Sequence, residues 1–222
     1  MKHVGLASLA ALAISATAAL AAPLVVNGSF EDSPGATPGI NNGHTFDALP
    51  GLGAGGWDIY ASLPGWTHDN DGIEVQTAGV IPLNPADGQY YAELDGNTNT
   101  TIKQDIFLDV GQYLLSFYYS PRVDTPSTNL IDFGLSGFLP GSVNGPGIGG
   151  TALGQWTLVT ATYNVTSAGT YSLYFGAGSQ SDSYGGFLDN IQLAAVPVPA
   201  GGLLLLGALG GLAALRRRKS AA

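Results

Sequence analysis

The chain has 222 residues, no cysteine and a formal net charge of −9 at pH 7. Between its first residues and a C-terminal basic cluster it holds two basic residues, Lys103 and Arg122, and all 16 acidic ones, a formal charge of −14. This negative charge excludes nucleic acid as a partner, and the lack of cysteine excludes disulfides and thiolate metal sites. The length suits one all-β domain with targeting segments at both ends.

Residues 1–21 are predicted to form a secretory signal peptide with a short apolar helix. Lys2 supplies the basic start, residues 4–14 are apolar, and Ala19 and Ala21 are the small residues expected before a cleavage site after Ala21. The alternative is a buried N-terminal helix.

Residues 22–195 are predicted to form one all-β domain. Short runs of β-branched and aromatic residues, separated by Gly, Pro, Asn and Asp, predict the strands. These cover residues 24–31, 72–77, 89–95, 101–108, 112–120, 130–136, 155–165, 169–177 and 186–194. Tyr90, Ala92 and Leu94 alternate with more polar neighbours, which indicates a sheet with one buried face. Eight or nine such strands predict a two-sheet sandwich of jelly-roll type.

The order of short motifs along this domain resembles a galactose-binding-like jelly roll. The motifs are LVVNGSFE, LPGWT, GIEVQ, DGQYYAELD, SFYYSPR and GGFLDNIQL, of which the first and last contain the most specific parts. The pattern is similar to bacterial relatives of a plant cell-wall family with this fold and, more distantly, to carbohydrate-binding modules attached to polysaccharide-degrading enzymes. The segment 32–63 is longer than the short link usual at this position in such domains. Together with 124–128 and 137–154 it is predicted to form loops.

The same resemblance implies a structural calcium ion near the first and last strands. Metal ligands in such domains include an acidic residue of the opening motif and one of the closing motif, which correspond here to Glu31 and Asp189. Two carboxylates, with backbone carbonyls and waters, would supply the roughly six to eight oxygens that Ca²⁺ takes. The alternative is that both side chains cap strand ends without a metal.

The polar face of the predicted strands is the candidate surface for a carbohydrate. Sugar rings stack on aromatic side chains through their C–H faces, while their hydroxyls need fixed polar partners. The candidates are an aromatic plate with neighbouring charged groups, namely Tyr91, Glu93, Asp95, Tyr118 and Arg122. Trp66, in a PGW turn, is a further aromatic candidate. As alternatives, Trp66 and Trp156 are core residues, and Arg122 pairs with an acidic neighbour.

No motif of the chain predicts catalysis. The sequence lacks GxSxG, HExxH, a phosphate-binding loop and a calcium-hand loop. Glycoside hydrolysis needs only a pair of carboxylates, and 16 acidic residues form many such pairs by chance. We therefore expect that the protein is not an enzyme.

Residues 196–219 are predicted to form a sorting signal. The apolar run 201–215 would span about 22 Å as a helix, which is short of the roughly 30 Å hydrocarbon core of a bilayer. A basic cluster follows it and would stay cytoplasmic. The residues that carry this pattern are Val196, Pro197, Pro199 and Ala200 before the run, and Arg216, Arg217 and Arg218 after it.

This tail resembles the PEP-CTERM class of bacterial sorting signals and is closest to its VPLPA-CTERM variant. Val198 replaces the leucine of that variant, and the glutamate of the PEP form is absent. The resemblance implies a transmembrane sorting helix, recognition by an exosortase-type membrane transpeptidase, and processing near the proline motif. The alternative is a simple membrane anchor.

Together these features predict an exported, non-catalytic protein of the cell surface or extracellular matrix. Its expected partner, besides the exosortase, is an extracellular polysaccharide or cell-wall glycan. The first alternative is a purely structural matrix or adhesion protein that contacts other proteins through its Gly/Pro-rich loops. A glycan-active enzyme is the remaining alternative.

Overall fold

A computed structural model describes residues 23–32, 37–38, 56–70, 72–78, 80–122, 127–145, 154–178 and 180–197. The chain divides into a unit of Ala22–Val196, which holds all the described strands, and a second unit of Met1–Ala21 and Pro197–Ala222. The predicted signal peptide, and the predicted sorting signal after Pro197, lie outside the described residues.

None of the residues described belongs to a helix long and apolar enough to cross a membrane.

The described residues contain twelve strands and no helix. In chain order the strands are β1 (Thr37–Pro38), β2 (Trp57–Ser62), β3 (Thr67–His68), β4 (Ile73–Thr77), β5 (Tyr90–Glu93), β6 (Thr101–Leu108), β7 (Gly111–Ser120), β8 (Ile131–Leu135), β9 (Gly141–Val143), β10 (Thr157–Val165), β11 (Gly169–Ala177) and β12 (Phe187–Ala195). One sheet has the order β1-β2-β4-β5-β12-β7-β10 and the other β3-β6-β11-β8-β9. Every pairing is antiparallel.

The two sheets pack face to face around one hydrophobic core. Alternate residues of β7 and β6 point into it, as the period of two in a strand requires. The ring of Phe117 on β7 lies 4.8 Å from that of Phe133 on β8 and 5.0 Å from that of Phe175 on β11. These contacts join the sheets, and they confirm the prediction of an all-β domain built from two sheets.

Eight of the nine predicted strands are present, and β6 and β11 have the predicted bounds. The predicted strand 24–31 is wrong because Asn27 and Phe30 have positive φ values of 52° and 60°, which break an extended chain. This segment still runs beside β12, where the N–H of Ile191 donates to the carbonyl of Gly28 at 2.9 Å. β12 lies between β5 and β7, in the interior of its sheet.

Two segments predicted to be loops contain strands. Residues 32–63 include β1 and β2, and residues 137–154 include β9. The sequence WDIYAS of β2 pairs with β4, with Trp57 opposite Gln76 and Ile59 opposite Glu74. The prediction of an uninterrupted loop over 32–63 is therefore wrong, because pairing with β4 decides the conformation of a strand that lies among many glycines.

Candidate functional site

The candidate site lies on the outer face of the seven-stranded sheet, which points away from the core. In β5, Tyr90 and Ala92 belong to the core cluster, so Tyr91 and Glu93 point to the outer face. The register places Glu74 of β4 opposite Glu93 of β5, and Glu93 opposite Phe187 of β12. This face therefore carries carboxylates and aromatic rings side by side.

One part of the outer face is covered by the chain itself. Leu83 packs on Tyr91 and Phe187 in a small apolar cluster, and the Trp156 ring meets the Tyr91 ring edge to face at a centroid distance of 5.7 Å. The indole N–H of Trp156 donates to the carbonyl of Asn84 at 2.7 Å, which holds this cover in place. Tyr91, predicted as an open plate for a sugar, is fully buried beneath it.

A cluster of buried polar side chains lies next to this cover. The amide Nε2 of Gln76 donates to Oε1 of Glu74 at 2.6 Å and to Oε2 of Glu93 at 2.5 Å. The Nη1 of Arg122 also donates to Oε2 of Glu93, in an ion pair that leaves the Glu93 side chain fully buried and that of Arg122 17% exposed. The predicted alternative that Arg122 pairs with an acidic neighbour is thus what the structure shows.

Burial raises the pKa values of both carboxyl groups. The pKa of Glu93 is well above its ordinary value, first because the group is buried and then because Glu74 lies beside it. Burial also raises the pKa of Glu74, although its hydrogen bond from Gln76 and the charge of Arg122 lower it. Two carboxylates that share one amide and one guanidinium therefore resist ionising together.

The carboxylates of Asp95 and Glu93 anchor the loop 181–186 above the sheet. Oδ2 of Asp95 accepts the backbone N–H groups of Asp182 at 2.8 Å and Ser183 at 3.1 Å. Oε1 of Glu93 accepts the N–H of Gly185 at 2.6 Å. Between these anchors Tyr184 stays 49% exposed. Glu93 and Asp95, predicted to touch a ligand, thus lie under the loop that presents Tyr184.

An open cleft of about 220 Å³ remains between this loop and the sheet. The guanidinium of Arg122 lies over the Tyr184 ring, 4.8 Å from its centroid, a cation–π geometry. The cleft combines two aromatic side chains with acceptor and donor groups at its base, and it is lined by Trp57, Glu74, Gly96, Asn97, Arg122, Ser183 and Tyr184. Such a combination can hold an amphipathic ring with several hydroxyl groups.

Of the predicted ligand-binding residues, Arg122 is the one that lines the cleft. Tyr118 is half-buried on β7, opposite Asp189, and does not line it. Trp66 is a core residue, 3% exposed, with its ring 6.0 Å from that of Phe30. The sequence did not point to the cleft residues Trp57, Glu74, Asn97 and Tyr184. The motif GIEVQ contains Glu74, but nothing local marks its position opposite Glu93.

Glu31 and Asp189 bind two ends of one short segment. Oε1 of Glu31 accepts the N–H groups of Gln89 and Tyr90, at 2.7 and 2.8 Å. Oδ2 of Asp189 accepts those of Ala86 and Asp87, at 2.7 and 2.9 Å. Burial raises the pKa of Asp189 to about 7 in spite of these donors.

This geometry is that of carboxylates that cap backbone N–H groups. In the described part of the chain, no group of three or more His, Asp or Glu side chains is arranged to hold a metal ion. Calcium binding at Glu31 and Asp189, with backbone carbonyls and waters as further ligands, stays a prediction.

No protein-family model matches the sequence, and neither does any curated protein. Among solved structures the chain is similar to TmCBM61 in complex with β-1,4-galactotriose, with 17% identity, a TM-score of 0.49, and coverage of 79% of this chain and 100% of that one. It is also similar to a family 16 carbohydrate-binding module (15% identity, TM-score 0.45, 77% and 99% covered) and to a family 35 module from Clostridium thermocellum (16%, 0.42, 59% and 92%).

Proposed function

We propose that this protein is an exported, non-catalytic carbohydrate-binding protein with a galactose-binding-like jelly roll, and that its ligand occupies the cleft at Arg122. The observation that supports this is the pairing of aromatic and polar groups there. Tyr184 and Trp57 supply aromatic rings for contact with sugar C–H groups, while Glu74, Asn97 and Arg122 supply polar partners for hydroxyls.

Binding is favoured over hydrolysis by the arrangement of the two carboxylates. A glycosidase needs its two carboxyl groups on either side of the scissile bond. Here Glu74 lines the cleft, whereas Glu93 is buried behind it and binds Arg122, Gln76 and Gly185. Glu93 is therefore placed to support the cleft and not to reach a substrate.

Removal of the cleft aromatics is expected to weaken glycan binding. Tyr184→Ala and Trp57→Ala should each lower the affinity roughly tenfold, because each removes a stacking surface worth about 1 kcal/mol or more. The measurement is isothermal titration calorimetry against a panel of neutral and acidic polysaccharides. Phe107→Ala is the matched control, since Phe107 is 63% exposed on β6 of the other sheet. If no polysaccharide binds to the unaltered protein, a purely structural matrix role replaces this proposal.

Export and sorting complete the proposed function. The VPVPA motif, the apolar run and the arginine cluster support processing by an exosortase-type enzyme. We expect mass spectrometry of the mature protein to show a C-terminus that lacks Arg216, Arg217 and Arg218. Cells without the exosortase-type enzyme should retain these residues and serve as the control. A mature protein that keeps them in normal cells would identify a simple membrane anchor.

The predicted calcium ion can be tested by chelation. A bound ion that is absent from the unfolded chain stabilises the fold by mass action, so a chelator should lower the melting temperature by several degrees and added Ca²⁺ should restore it. Mg²⁺ at the same concentration controls for ionic strength. An unchanged melting temperature would show that Glu31 and Asp189 only cap segment 86–90.

A further inference from the structure

One carboxylate oxygen, Oε2 of Glu74, lies beside Gly96 at the wall of the cleft. Oε1 of Glu74 accepts from Gln76 at 2.6 Å, and the carboxyl group of Glu93 also lies within hydrogen-bonding reach of the Glu74 carboxyl group. Glu93 differs, because Gly185 donates to its Oε1 while Gln76 and Arg122 donate to its Oε2. The acceptor that Glu74 presents beside Gly96 is thus its Oε2.

Gly96 keeps the space beside this oxygen open. A Cβ atom at position 96 would lie 2.9 Å from Oε2 of Glu74 and 3.0 Å from Cδ1 of Ile59. Since Gly96 itself lines the cleft, a methyl group there would fill the space in which a ligand could meet the carboxylate. At about 220 Å³ the cleft is smaller than the roughly 300–1,000 Å³ of pockets for drug-sized ligands. It therefore suits about one sugar unit.

The charge of the cleft opposes an anionic ligand. Arg122 is its one cation among the described lining residues, and Glu93 already pairs with it. The three groups Arg122, Glu74 and Glu93 together carry a net charge of about −1 when both carboxyl groups are ionised. When one of the two carboxyl groups keeps its proton, their net charge is zero. By sequence, residues 23–197 include two basic and 16 acidic residues, so a uronate or sulfate group would approach this domain against its net negative charge.

We infer that the ligand of this cleft is a neutral glycan unit, one of whose hydroxyl groups donates to Oε2 of Glu74 in the space that Gly96 leaves open. This inference rests on the proposed carbohydrate binding and narrows it to a ligand class. A hydroxyl bound to a carboxylate forms a charge-assisted hydrogen bond, which is stronger than one between neutral groups.

The experiment measures binding by calorimetry to two groups of probes. The first is native alginate and its carboxyl-reduced form, which share one backbone and differ in charge. The second is neutral galactan, mannan, xylan and β-glucan, with polygalacturonate as a further acidic probe. We expect at least one neutral probe to bind and neither native alginate nor polygalacturonate to bind.

Two substitutions locate the binding. Glu74→Gln and Gly96→Ala should each lower the affinity for the neutral probe roughly tenfold or more, because one removes the charge and the other fills the space. Gly169→Ala is the matched control, since a Cβ atom there meets nothing within 4 Å. Urea unfolding of each variant shows whether it is folded. Glu74→Asp, which keeps the charge but shortens the side chain, replaces Glu74→Gln if that variant does not fold.

The outcomes separate this inference from the proposed function. Binding to an acidic probe that is lost on carboxyl reduction would overturn the neutral ligand and leave carbohydrate binding in place. Neutral binding that neither Glu74→Gln nor Gly96→Ala weakens would overturn the placement at Glu74. The absence of binding to every probe would overturn the proposed function itself.

Discussion

Replacing Arg122 with methionine is expected to destabilise the fold by about 3 kcal/mol at pH 8, as well as to abolish glycan binding. The change leaves the Glu93 carboxylate fully buried without its cation, with Glu74 nearby. Breaking a buried ion pair by removing one partner costs about 3–5 kcal/mol. The lower end applies here because the Arg122 side chain is 17% exposed. Urea unfolding monitored by tryptophan fluorescence measures the loss.

The cost should depend on pH with a defined sign. The pKa of Glu93 is raised in the folded protein, so between its unfolded and folded pKa values the folded state binds more protons than the unfolded state. The stability that this group contributes therefore falls as the pH rises through that window. Without Arg122 an ionised Glu93 is less favourable still, and the loss at pH 8 should exceed the loss at pH 5.

A double variant tests whether the buried charge is the cause. Arg122→Met combined with Glu93→Gln should be more stable than Arg122→Met alone, because a neutral amide can still accept the N–H of Gly185. Lys103→Met is the matched control: Lys103 is an exposed cation on β6, and surface changes usually cost within about 0.5 kcal/mol. Equal stability of the single and double variants would contradict this account.

The strands that could be predicted from the sequence are those with a complete local signal. In β6, buried residues alternate with more exposed ones; the buried residues are Ile102, Gln104, Ile106 and Leu108. This alternation predicts both that a strand is present and where it begins and ends. The segment 24–31 has a similar composition but is not a strand. Its conformation is set by positive φ at Asn27 and Phe30. Asn27 tolerates a positive φ, and its side-chain Oδ1 accepts the backbone N–H of Asp32 at 2.8 Å.

The cleft could not be predicted because its residues meet only after the sheet has formed. Glu74 and Glu93 lie opposite each other through the register of β4 and β5. Tyr184 reaches the same place through a loop held by Asp95. The sequence predicts Arg122 because an arginine and carboxylates beside aromatic rings suit a sugar ligand. Trp57 was missed because it follows a glycine-rich stretch that predicts a loop.

The residues predicted to form an open polar face on β5 point in the predicted direction, but they are not exposed. Glu93 and Asp95 do point away from the core, as the alternation indicates, yet both are buried. Other parts of the chain cover them, and their carboxylates hold those parts through backbone N–H groups. A strand pattern reports which side a residue faces. It does not report what lies over that side, because the cover comes from residues about 90 positions away in the chain.

Among the described glycines, Gly28→Ala is expected to be the most damaging single exchange, at about 3 kcal/mol or more. A Cβ atom at position 28 would lie 2.0 Å from the carbonyl oxygen of Ile191 and 3.0 Å from its carbonyl carbon. Both are backbone atoms of an interior strand, so they cannot move without loss of sheet pairing, and overpacking of this kind costs about 1–3 kcal/mol or more. The opening and closing sequence motifs meet at this contact.

The local geometry of β12 explains why no room is left. The pairing of β12 with β7 shifts register between Asp189 and Gln192, and Asn190 has a positive φ of 47°. Such a bulge frees the N–H of Ile191 from the neighbouring strand, and it donates to the carbonyl of Gly28 at 2.9 Å instead. The bulge in the motif FLDNI thus requires a glycine at position 28 in the motif NGSFE. Gly28 and Ile191, which meet at this contact, are 163 residues apart in the sequence.

The measurement is urea unfolding of Gly28→Ala and of Gly169→Ala, combined with hydrogen exchange at Ile191. Gly169 lies in β11 with open space around it, so alanine there should change stability by less than about 1 kcal/mol. In Gly28→Ala the N–H of Ile191 should lose its protection, since its acceptor must move. A Gly28→Ala protein as stable as Gly169→Ala, with Ile191 still protected, would contradict the contact between the two motifs. Damage limited to segment 24–31 would instead show that this segment can separate from an intact sheet, because the strand pairs of β12 with β5 and β7 do not involve it.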